Sequence, residues 1–507
     1  MRHTRALAAS AAASLALTGL AAPALAGPGN NKGGNPNNPA KMAKAITVDH
    51  VVDHLEAFQA IADRHGDRAA GNPGYEASAQ YVEGVLRAAG YTTERQYFSF
   101  EKFSVQRSSL TENSPTRRAI DNIAMGYSPS TPVGGVTGDL TVPSQSALGC
   151  DAAAYGGADL SGRIALVSRG ACSFAAKSQA AAAVGAEGVI IYNNSAGPLN
   201  GTLGGPGDAY APTTGITQAE GQALVAELAQ GPVNVTLDLQ TTLKTVETFN
   251  VLAETRKGRT DNVVMVGAHL DGVEEGPGIN DNGSGSAAIL ETAVQLAKVN
   301  KLNNQVRFAW WGAEEEGLLG STHYVDDLVA NDPAELGTIA TYLNFDMVGS
   351  PNYIIGVYDA DQSTYPAPVD VPPGSEETED VFTDWFDSIG QPWVDTPFSG
   401  RSDYQAFIAN GIPASGLFTG ADGTKTPEEV ALFGGTAGVI YDPNYHTARD
   451  NLANVNREAL DIMSDAIGVA TLSLAQDTSL INGERSPGKS GKAHPRGPVV
   501  REGESAA

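Results

Sequence analysis

From Phe249 onward, short apolar runs alternate with amphipathic stretches, and this alternation leaves few architectures open. Runs suited to strands fall at 262–268, 305–311, 339–345, 353–358 and 414–418. Stretches with helical spacing fall at 285–299, 320–330, 378–389, 402–410 and 457–475. Each helix must carry the chain back across the sheet before the next strand begins. The pattern therefore predicts an α/β fold, with a mixed, mostly parallel central sheet covered by helices on both faces. Open sheets of this kind place their chemistry at the carboxyl ends of the strands.

Metal-binding side chains stand at those ends. His269 and Asp271 follow the run Val263 to Ala268. Asp281 sits in Gly278-Ile279-Asn280-Asp281-Asn282-Gly283, where glycine lets the backbone approach a site closely. Glu314 and Glu315 lie in an acidic triplet directly after Val306 to Trp311. Asp346 follows Tyr342 to Phe345, and His446 follows Tyr445 in a turn-like stretch. Two imidazoles and three carboxylates suit two zinc ions, with one carboxylate shared. Asp271 is placed to fix the tautomer of His269 or the local backbone. One glutamate of the triplet can bind metal while its neighbour takes a proton from the attacking water. The Tyr445 phenol can donate to a developing oxyanion. Taken singly, each residue also fits a turn, a cap or a solvated loop; the set points to a hydrolase.

The flanks have other textures. Arg2 and Arg5, an apolar run from Ala6 to Leu20 and the Ala24-Leu25-Ala26 triplet read as a secretory signal over 1–26. Residues 27–44 read as a flexible leader and 481–507 as a disordered tail. Gly483 to Ser490 fits a phosphate-loop pattern only formally, since it opens a Pro-rich tail. No G-x-S-x-G elbow is present, which removes the common serine hydrolase arrangement. The net charge of −26 argues against nucleic acid and anionic membranes as partners. In an exported chain the lone pair Cys150 and Cys172 is expected to be bridged, the other reading being two buried thiols.

Residues 262–450 resemble the secreted co-catalytic dizinc aminopeptidases of the bacterial leucyl aminopeptidase and aminopeptidase Y group. The stretches GAHLDGVEEGPGINDNGSGSAAILE, FAWWGAEEEGLLGS, NFDMVGS, FSGRSDYQAF, GLFTGADGTKT and YDPNYH carry the likeness. Gly317 sets the register of the triplet, since the family pattern is Glu-Glu-x-Gly-Leu. The resemblance implies Glu314 as general base and Glu315 as ligand. It implies His269 with Asp346 on one zinc, Glu315 with His446 on the other, and Asp281 bridging. It also implies substrate contact around Arg401. Bacterial relatives often have cysteines flanking the Tyr-His pair where this chain has Asn444 and Arg449, so bound metal is expected to hold that loop. Gly162 to Val167, Arg169 to Phe174, Lys177 and Gly185 to Val189 resemble a protease-associated (PA) domain. The expected organisation is a zinc peptidase domain over 45–130 and 241–480, interrupted by a PA insert over 131–240. The expected protein is a secreted monomer acting on peptides with a free N-terminus, with preference for large apolar residues such as leucine. A carboxypeptidase of the same fold and a non-catalytic receptor-like peptide-binding module are the alternatives.

Overall fold

The computed structural model describes residues 36–207 and 209–483. The strand Arg259–His269 lies at the heart of one mixed sheet. It pairs in parallel with Asn304–Trp311 on one side and Ile339–Phe345 on the other. Beyond Ile339–Phe345 come Ala414–Phe418, Gly356–Tyr358 and the edge strand Val394–Thr396. The three inner strands are almost wholly buried, which explains their unbroken apolar character. Their carboxyl ends present His269, the acidic triplet and Asp346 side by side.

The helix Gly285–Leu296 is buried on nearly every side. It is covered by Val48–His65, Pro73–Ala89 and Arg457–Gln476, and it packs back on Arg259–His269. A Cβ at Gly285 would lie 2.2 Å from the Phe345 carbonyl oxygen, so the start of this helix rests directly on the strand end that carries Asp346. The Asn456 side chain caps Arg457–Gln476 by accepting from the amides of Glu458 and Ala459.

Two long strands, Thr93–Ser114 and Asn234–Glu254, pair antiparallel along most of their length. The near end of Asn234–Glu254 joins the central sheet through Asn304–Trp311, and its far end pairs with Val136–Thr141. There the sheet continues through the parallel strands Arg163–Ser168, Gly188–Tyr192 and Thr213–Ile216. This β-rich insert has its own apolar clusters, built around Ile164, Leu166, Ile190 and Leu237 and around Ala165, Val167, Val189 and Ile191. Cys150 and Cys172 are bridged within it.

Two expectations for the ends need correction. Part of the stretch read as a flexible leader is ordered: Pro39–Ala43 forms a short helix capped by the Asn38 side chain. Its Met42 is fully buried and packs with Ile46 over Gly468, where a larger residue would collide. At the other end Ser479–Asn482 is helical and Ile481 packs on the core. The signal over 1–26, the first part of the leader and the tail from 484, including most of the phosphate-loop pattern, lie outside the described residues. No helix among the described residues is long and apolar enough to cross a membrane.

The bridge closes a loop of 22 residues, so replacing both cysteines by serine should cost the insert about 3 kcal/mol in the chain-entropy picture. Thermal unfolding should show the loss, while metal content stays the same. An unchanged melting profile would mean that the bridge adds nothing.

Candidate metal centre

The expected donors converge from three strand ends, from the turn that holds Asp281 and from the distant loop of His446. His269 Nε2 lies 3.2 Å from Asp346 Oδ1 and 3.4 Å from Asp281 Oδ1. His446 Nε2 lies 3.1 Å from Asp281 Oδ2 and 2.9 Å from Glu315 Oε2. Asp281 thus offers one oxygen to each imidazole. Glu314 stands back from these contacts, its Oε2 at 4.0 Å from His269 Nε2. Donor atoms of His269, Glu314 and Asp346 form one compact group, and those of Asp281, Glu315 and His446 form another.

The local chemistry fits cations at both groups. His269 Nδ1–H donates to the Asp271 carbonyl at 3.0 Å, which leaves the Nε2 lone pair facing carboxylates. His446 Nε2 is buried and makes no hydrogen bond despite its two close carboxylates, and Glu315 Oε1 is likewise buried without a partner. A lone pair surrounded by anions is repulsive unless positive charge lies between them. Ligands about 2.0–2.1 Å from a tetrahedral zinc stand roughly 3.3 Å apart, close to the separations seen here. In the metal-free protein that positive charge can come only from protons. Burial alone would lower His446, but its contacts with Asp281 and Glu315 outweigh burial and raise it to about 10. Burial, with Asp281 alongside, raises Glu315 to about 8. Burial also pushes Glu314 well above the usual carboxyl range, and Asp346, Asp403 and Glu315 add to the push.

A layer of hydrogen bonds holds these side chains. The Asp271 carboxylate accepts from the amides of Glu314 and Glu315, at 3.2 and 3.3 Å. Asp450 accepts from the amides of Asn280 and Asp281, at 2.9 and 3.0 Å. Ser402 Oγ donates to Asp346 Oδ2 at 2.6 Å. Arg68, fully buried, donates to the carbonyls of Leu270, Pro277 and Gly278 and so fastens the loop before Asp281. Asn282 Nδ2 is also buried and donates to the Phe345 carbonyl, so the Asn282-Gly283-Ser284 sequon is no glycosylation site. Ala313, Met347 and His446 all have positive φ, a backbone form that side-chain-bearing residues seldom adopt. Each flanks or carries a donor.

The Tyr445–His446 loop, expected to depend on bound metal, has polar side-chain anchors of its own. Asn444 Nδ2 donates to Asn454 Oδ1 at 2.7 Å, and Asn454 Nδ2 donates to Asp442 and Asp450. Asp442 also accepts from Asn280 Nδ2 at 2.7 Å. The loop is therefore tied to the Asp281 loop by side chains, and metal need not be its only anchor. The Tyr445 ring stacks on His446 with centroids 3.8 Å apart. Arg401 pairs with Asp422 at 2.9 Å, and its other nitrogen reaches the Tyr445 hydroxyl at 3.5 Å. Both residues line a cleft of about 260 Å³ that also meets Asp281, Glu314, Glu315 and Asp346. Arg68, Ser402, Asp403 and Asp450 were not singled out from the sequence; Ser402 and Asp403 at least lie in the FSGRSDYQAF stretch that carries the resemblance.

Known proteins share this arrangement of chain. The family model for peptidase family M28 matches residues 250–471, and that for the PA domain matches 136–224. Leucine aminopeptidase 2 of Trichophyton tonsurans is 43% identical over 437 residues, 86% of each chain. A probable lipoprotein aminopeptidase of Mycobacterium tuberculosis is 43% identical over 451 residues, 87% of this chain and 88% of that one. Among solved structures, an aminopeptidase from Aneurinibacillus sp. strain AM-1 superposes with a TM-score of 0.69 at 30% identity, covering 85% of this chain and 95% of that chain. The zinc aminopeptidase BSAP of Bacillus subtilis gives 0.61 at 27% identity, covering 86% and 98%.

Two outcomes follow from this geometry. Asp450→Ala should weaken zinc binding by about 10–100-fold, because two amides of the Asp281 loop lose their acceptor. Unchanged affinity in a chelator competition would remove Asp450 from the site. Zinc held by His446 and Glu315 would also have to displace their protons. Below about pH 8 both are protonated in the metal-free protein, so apparent affinity should fall at least about tenfold per pH unit as the pH drops. A flat profile between pH 6 and 8 would contradict the raised proton affinities.

Proposed function

The chain belongs to peptidase family M28, and we propose that it is a secreted aminopeptidase that holds two zinc ions and releases single residues from the free N-termini of peptides. The observation that carries this reading is the position of Asp281, with one oxygen near each imidazole and a further carboxylate beside each. His269 and Asp346 would hold one zinc, Glu315 and His446 the other, with Asp281 between them. Such a pair polarises the scissile carbonyl and brings the pKa of the attacking water near 7.

The remaining steps belong to the protein. Glu314 is buried, stands farthest from the imidazoles and has a raised proton affinity, which suits a base that takes a proton from water and delivers it to the leaving amine. Burial, with Asp281 and Glu315 next, raises the Tyr445 phenol, so it stays protonated and can donate to the developing oxyanion. Arg401 steadies that hydroxyl from the open side of the cleft. The acidic surround of Glu314 and Asp346 favours a substrate ammonium, which supports action at a free N-terminus. Met347, Ile354, Phe418 and Tyr441 line the cleft and suit large apolar side chains such as leucine. A carboxypeptidase would need a free cation for the terminal carboxylate, and Arg401, the cationic side chain among the lining residues, is paired with Asp422. The signal-like start and the disulfide support export.

Glu314→Ala should keep two zinc ions per chain and lose about 10²–10⁴-fold in turnover of a leucyl chromogenic substrate. Metal analysis and kinetics on one sample test this. A fully active variant would exclude Glu314 as the base, and hydrolysis of an N-acetylated substrate at the same rate would exclude an aminopeptidase.

A further inference from the structure

A second group of acidic side chains lies at the edge of the sheet, apart from the metal centre. Asp359 follows the strand Gly356–Tyr358, Glu379 sits on the helix Ser375–Ile389, and Asp395 is in the edge strand Val394–Thr396. The register brings them together: Val357 is opposite Asp395, and the Asp359 amide donates to the Thr396 carbonyl at 3.0 Å. One carboxylate oxygen from each of the three lies within 4.8 Å of the other two. A single ion bonding at about 2.4 Å can span that separation. None of the three belongs to the donor groups of His269 or His446.

The group is anionic and largely shut off from water. Asp359 is 1% exposed and Glu379 is 5% exposed. The charges that act most strongly on Glu379 are Asp361 and Asp395, and those on Asp395 are Asp359 and Asp361. Burial raises Glu379 to about 7 and lifts Asp395 above the usual carboxyl range. Hydrogen bonds satisfy only part of the set. Asp359 accepts from the amides of Ser363, Thr364 and Tyr365. Both hydrogen bonds to Glu379 come from the amides of Ala360 and Asp361 and reach Oε2, so Oε1 has no donor. Asp395 Oδ2 accepts from the hydroxyls of Thr364 and Ser363, whereas its Oδ1 is buried and accepts from nothing. Carboxylate oxygens left without donors in a buried group of anions are costly unless a cation lies between them. All three side chains offer oxygen, and the adjoining Ser363 and Thr364 hydroxyls add more of it. An all-oxygen set selects a hard ion such as calcium over zinc.

We propose that Asp359, Glu379 and Asp395 bind one calcium ion, separate from the metal centre, which fastens the stretch 359–374 to the helix Ser375–Ile389 and to the edge strand. That stretch brings Tyr365 to the cleft, so the ion braces the outer wall of the cleft from behind. The test is a titration of the zinc-loaded protein with calcium chloride at constant free zinc, read by equilibrium dialysis and by thermal melting. One calcium ion should bind per chain, half-saturated at about 1 mM or below. The melting temperature should rise as that ion saturates. Glu379→Gln and Asp395→Asn should each weaken its binding by about tenfold or more, because each removes one charged ligand. Both variants should keep the native zinc content, which shows that they are folded. Glu379 is buried, so the half-buried Asp395 supplies the gentler of the two changes, and the native titration tests the proposal without any variant. Absence of saturable calcium on the native protein would overturn the proposal. Calcium that binds either variant as tightly as the native protein would also overturn it, since the ion would then sit elsewhere.

Discussion

Asp281 stands between two imidazoles whose free lone pairs face it, and much of the site follows from keeping it there. A carboxylate in that position is stable only if positive charge is supplied on both sides. The two histidines alone supply it only by taking up protons. Two divalent ions would supply it permanently and would also relieve the mutual repulsion of Asp281, Glu315 and Asp346. The anions are held close before the metal arrives. That proximity costs folding energy, and the backbone around the site shows the same tension in the positive φ values of Ala313, Met347 and His446.

What offsets the tension is a set of contacts made to backbone atoms. Asp450 takes two amides of the Asp281 loop, Asp271 takes the amides of both glutamates, and Arg68 gathers three carbonyls from the stretch 270–278. Each of these contacts fixes where a donor starts from and leaves its side chain free to turn toward a metal. Asp442 and Asn454 restrain the loop of His446 differently, through hydrogen bonds between side chains that share this task with any bound metal.

The inner strands and their end residues were legible because each strand is a continuous apolar run that stops at a glycine or an acid. The sequence expectations for 262–268, 305–311 and 339–345 therefore fall close to the observed Arg259–His269, Asn304–Trp311 and Ile339–Phe345. The supporting residues were not legible. Arg68 meets its carbonyls about 200 residues away, and Asp450 meets Asn280 at a separation of 170 residues. Contacts to backbone atoms leave no complementary residue type in the sequence that could reveal them. The long strands Thr93–Ser114 and Asn234–Glu254 escaped notice for a different reason. Their middles have exposed faces and pair mainly with each other, so neither a continuous apolar run nor a clean alternation marks them.

These strands also give the acidic triplet its third role. Lys102, on Thr93–Ser114, lies 2.8 Å from Glu274 and 3.3 Å from Glu316. Burial would lower this lysine, but the two carboxylates hold it above its ordinary value, so it stays charged. Glu274 belongs to the loop after His269 and Glu316 directly follows Glu315. The stem that leads to the PA insert is thus ion-paired to the two loops that frame the metal centre. Glu314, Glu315 and Glu316 point to different partners because the turn after Trp311, with Ala313 and Gly317 at positive φ, spreads consecutive side chains apart. An extended strand would send Glu314 and Glu316 to the same face, whereas this turn sets Glu314 near His269, Glu315 against His446 and Glu316 against Lys102.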